Sequence, residues 1–151
     1  MNKYMNLIGK NANKAILNKI TTKVKNKVLQ KYMLLIGKEK NSIIRANSKD
    51  TKFAMSKKLK NNLIDRLILN SKKIDSIKAT INNIIKLKDP INQTLEKWKR
   101  PNGLIIKRVS MPMGTIGVIY ESRPNVTSDI SSLCFKSGNS VILRGGSEAI
   151  N

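Results

Sequence analysis

The sequence contains no histidine and a single cysteine, Cys134. An internal disulfide is therefore excluded, and a zinc site built from several Cys or His ligands has no residues to form it. A serine or cysteine nucleophile activated by a histidine of this chain is excluded as well. Aromatic residues make up only 4% of the chain, so few rings are available to stack on bases. The longest apolar runs are four or five residues, against roughly 20 needed to cross a bilayer. The opening Met-Asn-Lys-Tyr-Met-Asn has neither the apolar core of a signal peptide nor Arg/Ser-rich transit character, and the cytoplasm is the expected location. Acidic residues are also scarce: 9 against 30 Lys and Arg, a formal net charge of +21.

That charge is unevenly placed. Residues 1–108 carry 27 of the basic and 6 of the acidic residues, while residues 109–151 carry 3 of each. The excess fits two readings, an electrostatic surface for nucleic acid or compositional drift. Lys, Asn and Ile supply 63 of the 151 residues. The lysines are scattered, and only 6 residues are Arg, the side chain that reads guanine with two bonds. These features weigh toward drift and against a nucleic-acid partner.

What is present is helical punctuation followed by a denser segment. Leu7, Ile8, Ala12, Ala15 and Ile16 recur at helical spacing, as do Val24, Val28, Tyr32, Leu35 and Ile36, with Thr21 or Thr22 placed to cap the second helix. Ser42 to Asp50 reads as that helix's frayed end or a break. Leu59, Leu63, Leu67 and Ile68 suggest a short helix. Ile74, Ile77, Ile81, Ile84, Ile85 and Leu87 form a stripe that ends before Asp89-Pro90. Residues 89–103, with Pro90, Pro101 and Asn102-Gly103, read as a connector in which Trp98 is half-exposed. Leu104 to Val109 is a strand candidate. Thr115 to Tyr120 is an apolar run suited to a strand covered on both faces.

From Pro124 an amphipathic helix is expected, with Val126, Ile130, Leu133, Cys134 and Ser137 on its buried stripe and Gly138-Asn139 at its end. Val141 to Leu143 is the next strand. Two strands joined by such a helix must be parallel, with a right-handed crossover. Their turns, Glu121 to Asn125 and Arg144 to Glu148, then emerge at one edge of the sheet, where open parallel sheets bind ligands. Gly145 and Gly146 either make a tight turn or let backbone amides approach a phosphate or ribose. Arg144 adds a permanent cation. Asn125 is either the helix N-cap or an amide donor to a developing oxyanion. Arg123 either binds an anionic substrate or pairs with Glu121. Cys134 lies on the apolar stripe and reads as a buried, inert thiol. The dinucleotide fingerprint Gly-x-Gly-x-x-Gly is absent.

The stretch Met111-Pro-Met-Gly-Thr-Ile-Gly-Val-Ile-Tyr-Glu-Ser-Arg-Pro-Asn-Val-Thr127, with Leu133-Cys-Phe-Lys-Ser-Gly-Asn139 and Val141-Ile-Leu-Arg-Gly-Gly-Ser-Glu-Ala149, closely resembles the gamma-glutamyl phosphate reductases (glutamate-5-semialdehyde dehydrogenases) of the aldehyde dehydrogenase superfamily. Asn62-Leu-Ile-Asp-Arg-Leu67 and Lys88-Asp-Pro90 extend the likeness upstream. The resemblance covers the first third of a family member. It implies an α/β fold: an N-terminal helical region and connector over residues 1–103, then the first βαβ unit of a Rossmann-like, NADPH-binding parallel sheet over residues 104–151. It implies reduction of L-glutamate 5-phosphate to the semialdehyde with NADPH, in proline biosynthesis. It gives Asn125 the support of the carbonyl oxygen, places Arg144, Gly145, Gly146, Ser147 and Glu148 at the cofactor, and leaves Arg123 as a candidate substrate contact. The family's catalytic cysteine lies beyond position 151. The expectation is thus a truncated reductase, inactive alone and associating as a homo-oligomer or with its missing C-terminal portion. The alternative is a basic, nucleic-acid-binding remnant of a decayed enzyme.

Overall fold

A computed structural model of the chain describes residues 3–16 and 20–151. Met1 and Asn2, which open the segment read for targeting signals, lie outside the described residues. Five helices come first: α1 (Lys3–Ile16), α2 (Thr22–Lys38), α3 (Lys40–Ser56), α4 (Asn61–Leu67) and α5 (Ser71–Lys86). Strands β1 (Thr94–Lys99), β2 (Ile105–Val109) and β3 (Thr115–Ile119) follow, then α6 (Pro124–Lys136) and β4 (Ser140–Arg144). No helix among the described residues is long and apolar enough to cross a membrane.

The main core is built on α5. Ile74, Ile77, Ile81 and Ile84 recur every three or four residues, so all four point one way and all are buried. Each contributes about 1.5–3 kcal/mol by leaving water. Leu29 and Ile36 of α2 and Leu69 meet them, with Phe135 of α6 packed alongside. Asn70 caps α5, its side chain accepting from the Lys73 amide at 2.9 Å.

Helix α2 is turned differently from the stripe expected of it. Thr21 caps it, and of the expected stripe Ile36 is buried and Tyr32 half-buried, but Val24, Val28 and Leu35 are exposed, and Lys25 and Leu29 are buried in their place. Two apolar stripes compete on this helix. The Lys25 ammonium, 3.0 Å from the Asp89 carboxylate, selects the second by tying that face to the turn after α5. The break expected over Ser42 to Asp50 is instead the middle of α3; the actual break is at Glu39. Polar residues misled here because they point inward. Asn47 donates to the Leu67 carbonyl at 2.9 Å and accepts from the Leu69 amide at 2.7 Å, clamping the end of α4.

The segment expected to be a connector contains β1, which pairs antiparallel with β2. The turn holds Gly103 at φ +88°, and the expected boundary at 103/104 falls inside it. Every residue of β1 is exposed, Trp98 by 42%. β3 and β4 pair in parallel, Thr115 opposite Ser140 and Ile119 opposite Arg144, with α6 as the crossover. β3 is not covered on both faces: Ile119 is 87% exposed. α6 buries only part of its expected stripe: Cys134 is buried and Val126, Ile130 and Ser137 are half-buried. Ser128, Ser132 and Lys136 are buried as well, and Leu133 is exposed. The rotation follows from Lys136, whose ammonium reaches Asn26 Oδ1 at 2.6 Å and the Ile85 carbonyl at 3.0 Å. Gly138 at φ +70° ends α6 as expected, in a conformation that residues with a Cβ rarely adopt.

Candidate functional site

Two turns lie side by side at the carboxyl edge of the β3–β4 pair. The Tyr120 amide donates to the Arg144 carbonyl at 3.0 Å, which extends the ladder to the start of both. The Ser122 hydroxyl then bonds the Glu148 carboxylate across the gap, and the Ser147 hydroxyl donates to its other oxygen at 3.3 Å.

Neither Gly145 nor Gly146 has a positive φ, so a left-handed turn does not explain them. Space does. A Cβ on Gly145 would lie 3.3 Å from the Tyr120 hydroxyl, and one on Gly146 only 2.5 Å from both Ser122 Oγ and Glu148 Oε1. Arg144 is exposed, and its guanidinium has no hydrogen bond or ion pair among the described residues. The turn thus presents one uncommitted cation beside a carboxylate held by two hydroxyls.

The other turn leads into α6. The N-cap position is Arg123 and Pro124 occupies the first turn, which rules out Asn125 as the cap. Asn125 is exposed, and its Nδ2 donates to Asp129 Oδ2 at 2.9 Å, one helical turn on. One of its two N–H groups is therefore fixed and the other is free. Asp129 Oδ1 is buried and has no hydrogen-bond partner among the described residues. An acceptor left in that state typically costs about 1–3 kcal/mol. The sequence reading missed Asp129, although its i+4 spacing from Asn125 is a visible pairing signal. Arg123 lies 3.9 Å from Glu121, whose carboxylate is held more closely by Arg66 at 2.8 Å. Arg123 and Asn125 line one pocket with Arg66 and Asp129; Arg144 to Glu148 form the neighbouring turn and do not line it.

Cys134 is buried, and desolvation pushes its thiol up from its ordinary value. It faces neither turn's chemistry as a thiolate. Among the described residues no group of three or more His, Cys, Asp or Glu is placed to hold a metal ion.

The chain is 49% identical over 135 residues to gamma-glutamyl phosphate reductase of Halothermothrix orenii, a match covering 89% of this chain and 32% of that protein. It is 46% identical over 151 residues to the enzyme of the same name from Clostridium botulinum, covering 99% of this chain and 36% of the relative. The chain belongs to the gamma-glutamyl phosphate reductase family. It matches the N-terminal part and spans about a third of the length of the curated relatives. The crystal structure of gamma-glutamyl phosphate reductase from Thermotoga maritima superposes with a TM-score of 0.89 at 42% identity, over 93% of this chain and 34% of that one. The Saccharomyces cerevisiae structure gives 0.91 at 34% identity, over 96% of this chain and 38% of that one. The mixed α/β architecture read from the sequence is therefore that of the reductase family's N-terminal part. No family profile matches the chain.

Proposed function

We propose that these residues form the opening of an NADPH-dependent acyl-phosphate reductase acting on L-glutamate 5-phosphate and yielding glutamate 5-semialdehyde for proline biosynthesis. The observation that carries this reading is the parallel β3–α6–β4 unit. Its carboxyl edge bears an uncommitted Arg144 and an Asn125 with a free N–H, in a chain 46% identical to a named reductase over 151 residues. The residues fit a pyridine dinucleotide. Arg144 suits an adenosine 2′-phosphate, and Glu148, oriented by Ser122 and Ser147, suits ribose hydroxyls. When bound, NADPH supplies the hydride.

Asn125 donates its free N–H to the carbonyl oxygen as negative charge develops there, and Asp129 holds the amide in place. The nucleophile is not Cys134, whose buried thiol has neither base nor thiolate character. It comes from sequence outside these residues, so the 151 residues alone do not turn over. The experiment is reconstitution. The chain is mixed with the remaining two thirds of a relative, expressed as a second polypeptide, and NADPH oxidation is followed. Activity is expected from the mixture and none from the chain alone. In the mixture, Asn125→Ala is expected to lower kcat by about 10²–10³. Turnover by the chain alone overturns the division of labour; an unchanged Asn125→Ala overturns the role of the amide.

A further inference from the structure

The pocket beside Asn125 has a volume of about 380 Å³, within the range that holds small ligands. The end of α4, the outer face of α5 and the start of α6 wall it. Its charged groups are not equally available. Arg66 is held by Glu121 at 2.8 Å, and the Lys73 ammonium is bound to the Asp65 and Ile68 carbonyls that end α4. Arg123 keeps only its 3.9 Å contact and is half exposed. Asp129 spends Oδ2 on Asn125, and Oδ1 has no partner. The Asp65 carboxylate also lines the cavity, unpaired but exposed to solvent; one loosely held cation and one buried, vacant carboxylate oxygen, that of Asp129, thus lie next to the amide assigned to the carbonyl oxygen.

We propose that this pocket receives the amino-acid end of the substrate, an α-ammonium paired with an α-carboxylate. The ammonium donates to Asp129 Oδ1 and the carboxylate is received by Arg123. Asp129 therefore has two jobs, recognising the amine through one oxygen and holding Asn125 through the other. The assignment rests on the reading of Asn125 as the carbonyl-facing amide. It makes the site selective: a dicarboxylate without an amine satisfies Arg123 and leaves Asp129 Oδ1 alone, as it is now.

The test is ligand-observed saturation-transfer NMR on the 151-residue chain, with L-glutamate, glutarate and 2′,5′-ADP titrated separately. L-Glutamate is expected to bind about tenfold more tightly than glutarate, the worth of one charge-assisted hydrogen bond. Asp129→Asn is expected to abolish that preference and keep glutarate binding. Arg123→Gln is expected to weaken both ligands. Thr80→Leu fills the cavity from α5 without altering a charge, and is expected to weaken both as well; it carries the test if Asp129→Asn loses its helical circular dichroism. Retention of the preference in Asp129→Asn, or unchanged binding in Thr80→Leu, overturns the proposal. Binding of 2′,5′-ADP without L-glutamate overturns the pocket and leaves the nucleotide reading standing. Selective L-glutamate binding without 2′,5′-ADP does the reverse.

Discussion

Asn47→Ala tests how the pocket wall is held. Asn47 is 8% exposed and grips both sides of Ile68, donating to the Leu67 carbonyl and accepting from the Leu69 amide. Leu67 and Leu69 are 1% and 6% exposed, so water does not readily replace the lost side chain. Two buried backbone groups are left without partners, at about 1–3 kcal/mol each. The expected loss is about 4 kcal/mol, a large share of the roughly 5–15 kcal/mol that holds a domain folded. For a chain of this size it lowers Tm by roughly 8–16 °C. Thermal melts and urea titrations followed by circular dichroism measure it. Ser48→Ala, one position on and exposed, is the control and stays within about 0.5 kcal/mol. Asn47→Asp keeps the acceptor for Leu69 but loses the donor and buries a charge, so it does not rescue at neutral pH. A melting temperature for Asn47→Ala within about 2 °C of the parent chain would refute the clamp.

Three further outcomes follow from the same geometry. Burial alone would raise the Asp89 carboxyl, but hydrogen bonds from Thr22, Lys25 and the Ile91 amide, with the Lys25 charge, pull it below its ordinary value. Its stabilisation is therefore complete above the ordinary carboxylate pKa of about 4 and is lost as pH falls through the lowered folded value; the urea midpoint should drop in that window for the parent chain and change less in Asp89→Asn. Cys134 should react with a disulfide reagent at pH 8 only as fast as the chain unfolds, and free-thiol rates in the folded chain would contradict its burial. A labelled DNA duplex should remain unshifted at about 150 mM salt, because the lysines are spread over the outer faces of the helices instead of gathered into a groove; a specific shift would revive the nucleic-acid reading.

Some of this was legible in the sequence for plain reasons. The α5 isoleucines repeat with the helical period, and the runs at 115–119 and 140–144 are apolar segments bounded by Gly and polar turns. β1 was not legible, because Thr-Leu-Glu-Lys-Trp-Lys has exposed residues on both faces and burial imposes no alternation on it. The faces of α2 and α6 were partly misread for a shared cause. A lysine deep in the structure, Lys25 in one and Lys136 in the other, fixes each helix's rotation through partners 64 and 110 residues distant. Hydrophobic periodicity does not register such anchors. At the candidate site, the adjacency of the two turns could be read from the βαβ pattern. The wall contributed by Arg66 could not, since nothing local links it to Glu121, 55 positions downstream.

The hairpin turn at Asn102-Gly103 stands in solvent, and a protease would find it readily. A nick there would not yield two separable bodies. α6 belongs to the later piece, yet its Lys136 is gripped by Asn26 and Ile85 of the earlier one, and its Phe135 packs against the isoleucine core. The severed halves should elute together from a sizing column and come apart only on denaturation, so that the crossover connection works as a rivet between the helical region and the sheet.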